Sequence, residues 1–142
     1  MLRLPPRQSP WLCRKRCELS KPTESAREEA RELAYAVSDV LDEAKGENIV
    51  ILYIGEICSF TDYFVICTGG SERTLGALAE AVRTKIKRRH QSITAKMEGD
   101  AQSGWILLDY GDVILHLFSR DLREYYRLEE LWRDGQILVH IQ

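Results

Sequence analysis

"LLDYGDVILHLF" (residues 107–118) is the stretch from which the rest of this 142-residue chain is read. Apolar residues run up to Tyr110-Gly111-Asp112 and resume beyond it, the pattern of two strands joined by a tight turn. Side chains alternate along a strand, so a two-residue turn at Tyr110-Gly111 or at Gly111-Asp112 yields the same partition. Ile106, Leu108, Tyr110, Val113, Leu115 and Leu117 share an apolar face that must be core. Trp105, Leu107, Asp109, Asp112, Ile114, His116 and Phe118 share a mixed face, which reads as the outward one. Gly111 supplies the positive φ of the turn. Two carboxylates at the mouth of a hairpin suit four uses: a catalytic pair, a metal site, a docking edge or plain turn chemistry.

Upstream, Ser25 and Glu28 form an S-x-x-E capping box. Ala26, Ala30, Leu33, Val37, Val40, Leu41 and Ala44 then recur at helical spacing, and Gly46 offers a left-handed stop. "NIVILYI" (48–54) and "DYFVIC" (62–67) are continuous apolar runs, which predicts strands covered on both faces. In "TGGSERT", Ser71 is an N-cap for a helix whose stripe is Leu75, Leu78, Ala79, Val82 and Ile86. A short strand near 93–96, a polar loop "MEGDAQSG" and the hairpin follow. "SRDLREYYRLEELW" (119–132) predicts a short amphipathic helix or two turns, and "ILVHI" (137–141) an edge strand or clasp. The order α-β-β-α-β-β-β-α predicts an α/β fold, a mixed sheet with packed helices.

The net charge of −2 conceals an asymmetry. Residues 1–22 hold six of the 20 basic residues and one of the 22 acidic ones, leaving +5 there and −7 in the remainder. All four prolines also fall in that segment, so it reads as a basic disordered arm, with a single domain spanning 23–142. Arg-rich, acid-poor composition fits a tail, an upstream start or an organellar transit peptide. No apolar run approaches the roughly 20 residues that a transmembrane helix needs. Cys13, Cys17, Cys58 and Cys67 contain no Cys-x-x-Cys pair, and neither a metal nor a cofactor is expected.

Enzymatic readings find little support. "GGS" before a helix offers amides to a phosphate, and a carboxylate pair on one strand would hold magnesium for nucleotidyl transfer. Asp109 and Asp112 straddle a turn instead, and Glu98 and Asp100 lie in the polar loop. His90, His116 and His140 have no neighbouring nucleophile with a base and an orienting group. His116, within a strand, reads as a packed histidine. Trp105 and the acids, with Tyr125, Tyr126 and Trp132 near in sequence, are instead the residue types of protein–protein interfaces.

"SFTDYFVICTGGSERTLGALAEAV", "MEGDAQSGWILLDYGDVILHLF" and "REYYRLEELW" resemble the signature blocks of the ribosomal silencing factor family, RsfS or iojap, over residues 27–134. The resemblance implies a nucleotidyltransferase-like fold without its catalytic residues, and no enzyme activity. It implies a translational repressor that binds the large ribosomal subunit through ribosomal large-subunit protein fourteen and blocks joining of the small subunit. Organellar relatives point to a role in large-subunit assembly. Carried over by position, the contact surface is Trp105, Asp109, Tyr110, Gly111 and Asp112, bordered by Glu98 and Gly99, with Thr61 and Asp62 as loop support. The acids would meet basic side chains on the ribosomal protein. Lys85, Lys87 and Arg88, at a basic helix end, are either solvated or in contact with ribosomal RNA. A homodimer is a further expectation, and the location is the bacterial cytoplasm unless residues 1–22 are a transit peptide.

Overall fold

The computed structural model describes residues 24–56, 61–90 and 93–141. In chain order they form α1 (Glu24–Glu43), β1 (Glu47–Tyr53), β2 (Tyr63–Gly69), α2 (Glu72–Arg89), β3 (Lys96–Asp100), β4 (Trp105–Asp109), β5 (Val113–Ser119), α3 (Arg120–Tyr126), α4 (Leu128–Leu131) and β6 (Gln136–Ile141). The six strands make one sheet in the order β3-β4-β5-β2-β1-β6. Only β2 and β5 pair in parallel, and every other neighbour is antiparallel. The expected α/β fold with a mixed sheet is therefore present. Its element order gains α4, and the expected C-terminal segment is the edge strand β6. The basic arm (1–22), Cys13, Cys17 and Cys58 lie outside the described residues.

All seven residues of β2 are buried, as an apolar run of this kind requires at the centre of a two-sided sheet. One face packs Ile51, Val65, Leu108, Leu115 and Leu117 against Val37, Leu41, Leu78, Val82 and Ile86 of α1 and α2. The apolar stripe read for α2 is the set that it buries. Ser71 caps it as expected, its Oγ accepting the Thr74 amide at 3.1 Å. The other face carries a second, smaller core. There Leu52, Phe64, Ile66, Leu107, Ile114 and Phe118 meet Leu128 and Trp132. This overturns the outward reading of the mixed hairpin face, which is covered by α3, α4 and the residue that follows them.

Several local expectations are also corrected. Glu24 is already helical, so Ser25 lies within the first turn of α1 and is not its N-cap. The left-handed residue that closes α1 is Lys45 (φ 66°), not Gly46. The Lys45 amide donates to the Asp42 carbonyl at 3.1 Å and the Gly46 amide to that of Leu41 at 2.8 Å, the paired bonds of a Schellman ending. Gly46 is required for a different reason: a Cβ there would lie 2.4 Å from the Cys67 sulfur. The strand expected near 93–96 begins at Lys96 and takes Glu98 and Asp100 out of the supposed loop. Gly99 (φ 78°) sits on it with a would-be Cβ 2.2 Å from the Trp105 carbonyl oxygen, so the β3–β4 approach depends on glycine. The segment 119–132 is two helices, broken where Arg127 adopts φ 46°.

The Gly46–Cys67 contact ties the end of α1 to the central strand. Gly46→Ala is expected to lower stability by roughly 1–3 kcal/mol. Adding Cys67→Ala should recover part of that loss, because the clash and its partner are one contact. Urea melts of the four proteins of this cycle measure the coupling; strictly additive effects would contradict it.

Candidate functional site

The hairpin decides its own acids. β4 and β5 pair with Asp109 opposite Ile114, which leaves Gly111-Asp112 as the two-residue turn. The Tyr110 amide closes it on the Val113 carbonyl at 2.8 Å, and Gly111 has φ 93°. Asp109 is only 3% exposed, and its Oδ1 accepts the Gly111 amide at 2.7 Å. Asp109 is therefore an Asx-type turn residue rather than an outward carboxylate, and the expectation of an exposed acid there is corrected. Asp112 is half-buried, and its carbonyl accepts the amides of Asp62 and Tyr63 at 3.1 and 3.0 Å. That pair of bonds locks the turn to the start of β2. Asp62 contributes to it through its amide, while Thr61, also buried, donates its hydroxyl to the Tyr63 carbonyl at 3.4 Å.

Tyr110 points inward, as its face predicts, and packs against the larger core. Its hydroxyl is buried, with no hydrogen-bond partner among the described residues. Burial pushes its pKa up to about 12, with Arg83 opposing the rise.

Trp105 lies at the far end of β4 from the turn. Four residue steps at about 3.3 Å separate it from Asp109 by about 13 Å, so the tryptophan and the turn do not form one cluster. Trp105 is half-buried. It stacks on Phe118 at 5.4 Å between ring centres, with Tyr126 at 5.1 Å, and its indole N–H donates to His116 Nδ1 at 3.4 Å. Such packing holds a large side chain in one orientation at the border of the smaller core. Beyond it lies β3, whose five residues are all exposed. Pairing sets Lys96 opposite Asp109, Glu98 opposite Leu107 and Asp100 opposite Trp105, all on the face of the smaller core. That face is thus roofed over β1, β2 and β5 and open over β3.

Residues 119–132 build the roof by means the sequence reading did not find. Arg123 is buried, its Nε donating to Glu129 at 2.6 Å and Nη1 to Thr68 Oγ1 at 2.9 Å. The guanidinium therefore clamps α3 and α4 onto the end of β2 across the break at Arg127. An arginine on a short charged helix carries no sign of this in sequence. Trp132 is core, 6% exposed, and meets Phe64 edge-on at 5.6 Å.

The basic end of α2 is partly engaged. Lys85 Nζ pairs with Glu43 at 3.0 Å, and Lys87 Nζ donates to Thr94 at 3.0 Å. Arg88 is exposed.

Glu98 and Asp100 form an i, i+2 pair on one strand rather than lying in a loop. Asp100 Oδ1 accepts the Ser103 amide at 2.7 Å within the β3–β4 turn. Two strands, β4 and β5, separate β3 from β2 and the "GGS" loop, about 14 Å at the spacing of strands in a sheet. At that loop a Cβ on Gly70 would meet Arg120 and Glu47, which are joined by a two-pronged ion pair. Among the described residues no group of His, Cys, Asp and Glu is arranged to hold a metal.

His116 is fully buried, and burial, then repulsion from Arg123, lowers its pKa to about 3. Unfolded, it binds a proton near pH 6.5; folded, it stays neutral until about pH 3. Its contribution to stability is thus complete above pH 6.5 and is lost as the pH falls below that value. Between pH 7 and pH 5 the wild type should lose about 1–2 kcal/mol more than His116→Phe. Equal losses in urea titrations at the two pH values would show that the ring is not held neutral.

The family model described as ribosomal silencing factor during starvation matches residues 27–142, so the C-terminal strand, expected to lie outside the resemblance, is part of it. The ribosomal silencing factor RsfS of Halalkalibacterium halodurans is 36% identical over 105 residues, covering 74% of this chain and 89% of that protein. The chloroplastic protein Iojap of Arabidopsis thaliana is 29% identical over 118 residues, 81% of this chain and 48% of the plant protein. A crystal structure of a Chromobacterium violaceum protein superposes with a TM-score of 0.69 at 30% identity, covering 80% of this chain and 92% of that one. The chain belongs to the ribosomal silencing factor (RsfS/iojap) family, and with it to the ribosome-associated regulators of translation.

Proposed function

We propose that this protein binds the large ribosomal subunit through ribosomal large-subunit protein fourteen and represses translation by occluding the small subunit. The observation that carries this reading is the open half of the smaller-core face. An ordered, half-exposed Trp105 borders an exposed strand bearing Glu98 and Asp100, with Asp112 at the turn. A large aromatic held in place loses little freedom on binding, which is the property of an interface anchor. The acids suit a basic ribosomal protein and would steer the encounter. Asp109 serves this surface by shaping the turn, and Gly111 by permitting it, while Tyr110 anchors it to the core.

A role in large-subunit assembly is the alternative, favoured by the relatives named as chloroplastic and mitochondrial. The two readings share the docking face and differ in location. A mature N-terminus near Thr23 would favour an organelle, and an intact Met1 the bacterial cytoplasm. The outer edges of β3 and β6 end the sheet, and a homodimer would use one of them.

Pull-down of large subunits tests the docking face. Trp105→Ala should lose roughly 2–4 kcal/mol of binding, about 30- to 1,000-fold. Because Trp105 also packs on Phe118, Glu98→Lys with Asp112→Lys serves as the variant that spares the core. It should slow association and release the block on subunit joining, with an unchanged melting temperature. Wild-type affinity in the Lys variant would count against this face.

A further inference from the structure

We propose that the groove between the first two turns of α1 and the Tyr53–Tyr63 end of the sheet is a binding site for RNA backbone phosphate, held by Arg27 and Arg31. The inference rests on the ribosome-bound reading above, to which it adds a second contact of different chemistry. The groove has a volume of about 280 Å³ and is lined by Arg27, Arg31, Tyr53, Asp62, Tyr63 and Gln136, with one leucine beside them. Arg27 and Arg31 stand one helical turn apart, so both reach into it from one side.

Arg83, Arg120, Arg123 and Arg127 each pair with a glutamate, while Arg73, Arg88, Arg89 and Arg133 form no ion pair among the described residues. Arg27 and Arg31 lie on α1, the most acidic of the described helices, yet neither forms an ion pair among the described residues. Arg31 stands over the ring face of Tyr35, 5.6 Å from its centre. Asp62, the one carboxylate of the lining, is buried, so cations outnumber acids at the opening. Tyr53 and Tyr63 pack 5.2 Å apart at the floor. Burial raises the pKa of Tyr63, which keeps its hydroxyl a neutral donor. The lining therefore presents donors and positive charge toward an anion.

The groove is continuous with the docking turn, because the amides of Asp62 and Tyr63 bind the Asp112 carbonyl. A partner seated on the turn places the groove against whatever surrounds that partner, and on a ribosomal subunit the anionic material is RNA.

The test compares wild type with R27Q/R31Q, two exposed positions whose change should leave circular dichroism and melting unaltered. Binding is measured across a salt series to large subunits, to a single-stranded 12-nucleotide uridylate RNA, and to isolated ribosomal protein fourteen. The double variant should bind the RNA several-fold more weakly, with a log–log salt slope smaller by about 1.4, two phosphates at roughly 0.7 each. Its affinity for the isolated protein should be unchanged. Equal RNA affinity and slope in the two proteins would overturn the site. So would a loss confined to the ribosomal protein, or a slope that moves only with Lys87→Gln and Arg88→Gln. If wild type ignores large subunits yet the RNA difference persists, the docking reading fails and the phosphate site stands.

Discussion

The parallel pairing of β2 with β5 is the constraint on which this molecule rests. Parallel neighbours cannot be joined by a hairpin, so the chain must travel from Gly69 at the end of β2 back to Val113 at the start of β5 by a longer route. It does so through α2 and the β3–β4 hairpin, which places an antiparallel extension on one side of the parallel pair. Two adjacent strands buried on both faces then require two covers. α1 and α2 supply one, and the short α3–α4 segment with Trp132 supplies the other.

The covers are unequal, and the inequality creates the functional surface. α1 and α2 are long helices, of 20 and 18 residues, laid across one face of the sheet. α3 and α4 have seven and four residues and reach no further than Trp105, where Tyr126 is the last ring of the roof. Strand β3 is left uncovered. A half-exposed tryptophan at that boundary follows from a roof that stops one strand short. Arg123 is essential to so short a roof. Its charge is paired with Glu129 and its Nη1 donates to Thr68, so its burial joins three elements without leaving a charge unpaired.

The acids of the turn show how one residue type divides its roles by position. Asp109 spends its carboxylate on the Gly111 amide and shapes the hairpin. Asp112 uses its backbone carbonyl to hold β2. The same two hydrogen bonds join the docking turn to the arginine-lined groove beside α1, so an acidic and a basic surface share one end of the sheet.

The sequence by itself determined the pattern of strands, the two faces of the hairpin, the stripe of α2 and the Ser71 cap, because each depends on periodicity or on hydrogen bonds within a few residues. It also carried the motif blocks that mark the family. Tertiary structure decided the rest. The mixed face of the hairpin reads as outward because a Trp, a His and two acids alternate with apolar residues. It is buried because a segment a few residues further on folds over it. Asp109 and Asp112 look equivalent in a string, yet the turn geometry buries Asp109 and leaves Asp112 half-buried. Gly46 looks like a left-handed stop, but its need for no side chain comes from Cys67, 21 positions later. Arg27 and Arg31 look like two more charges on a solvated helix. Only the approach of Tyr53 and Tyr63, brought there by the sheet, makes them the wall of a groove.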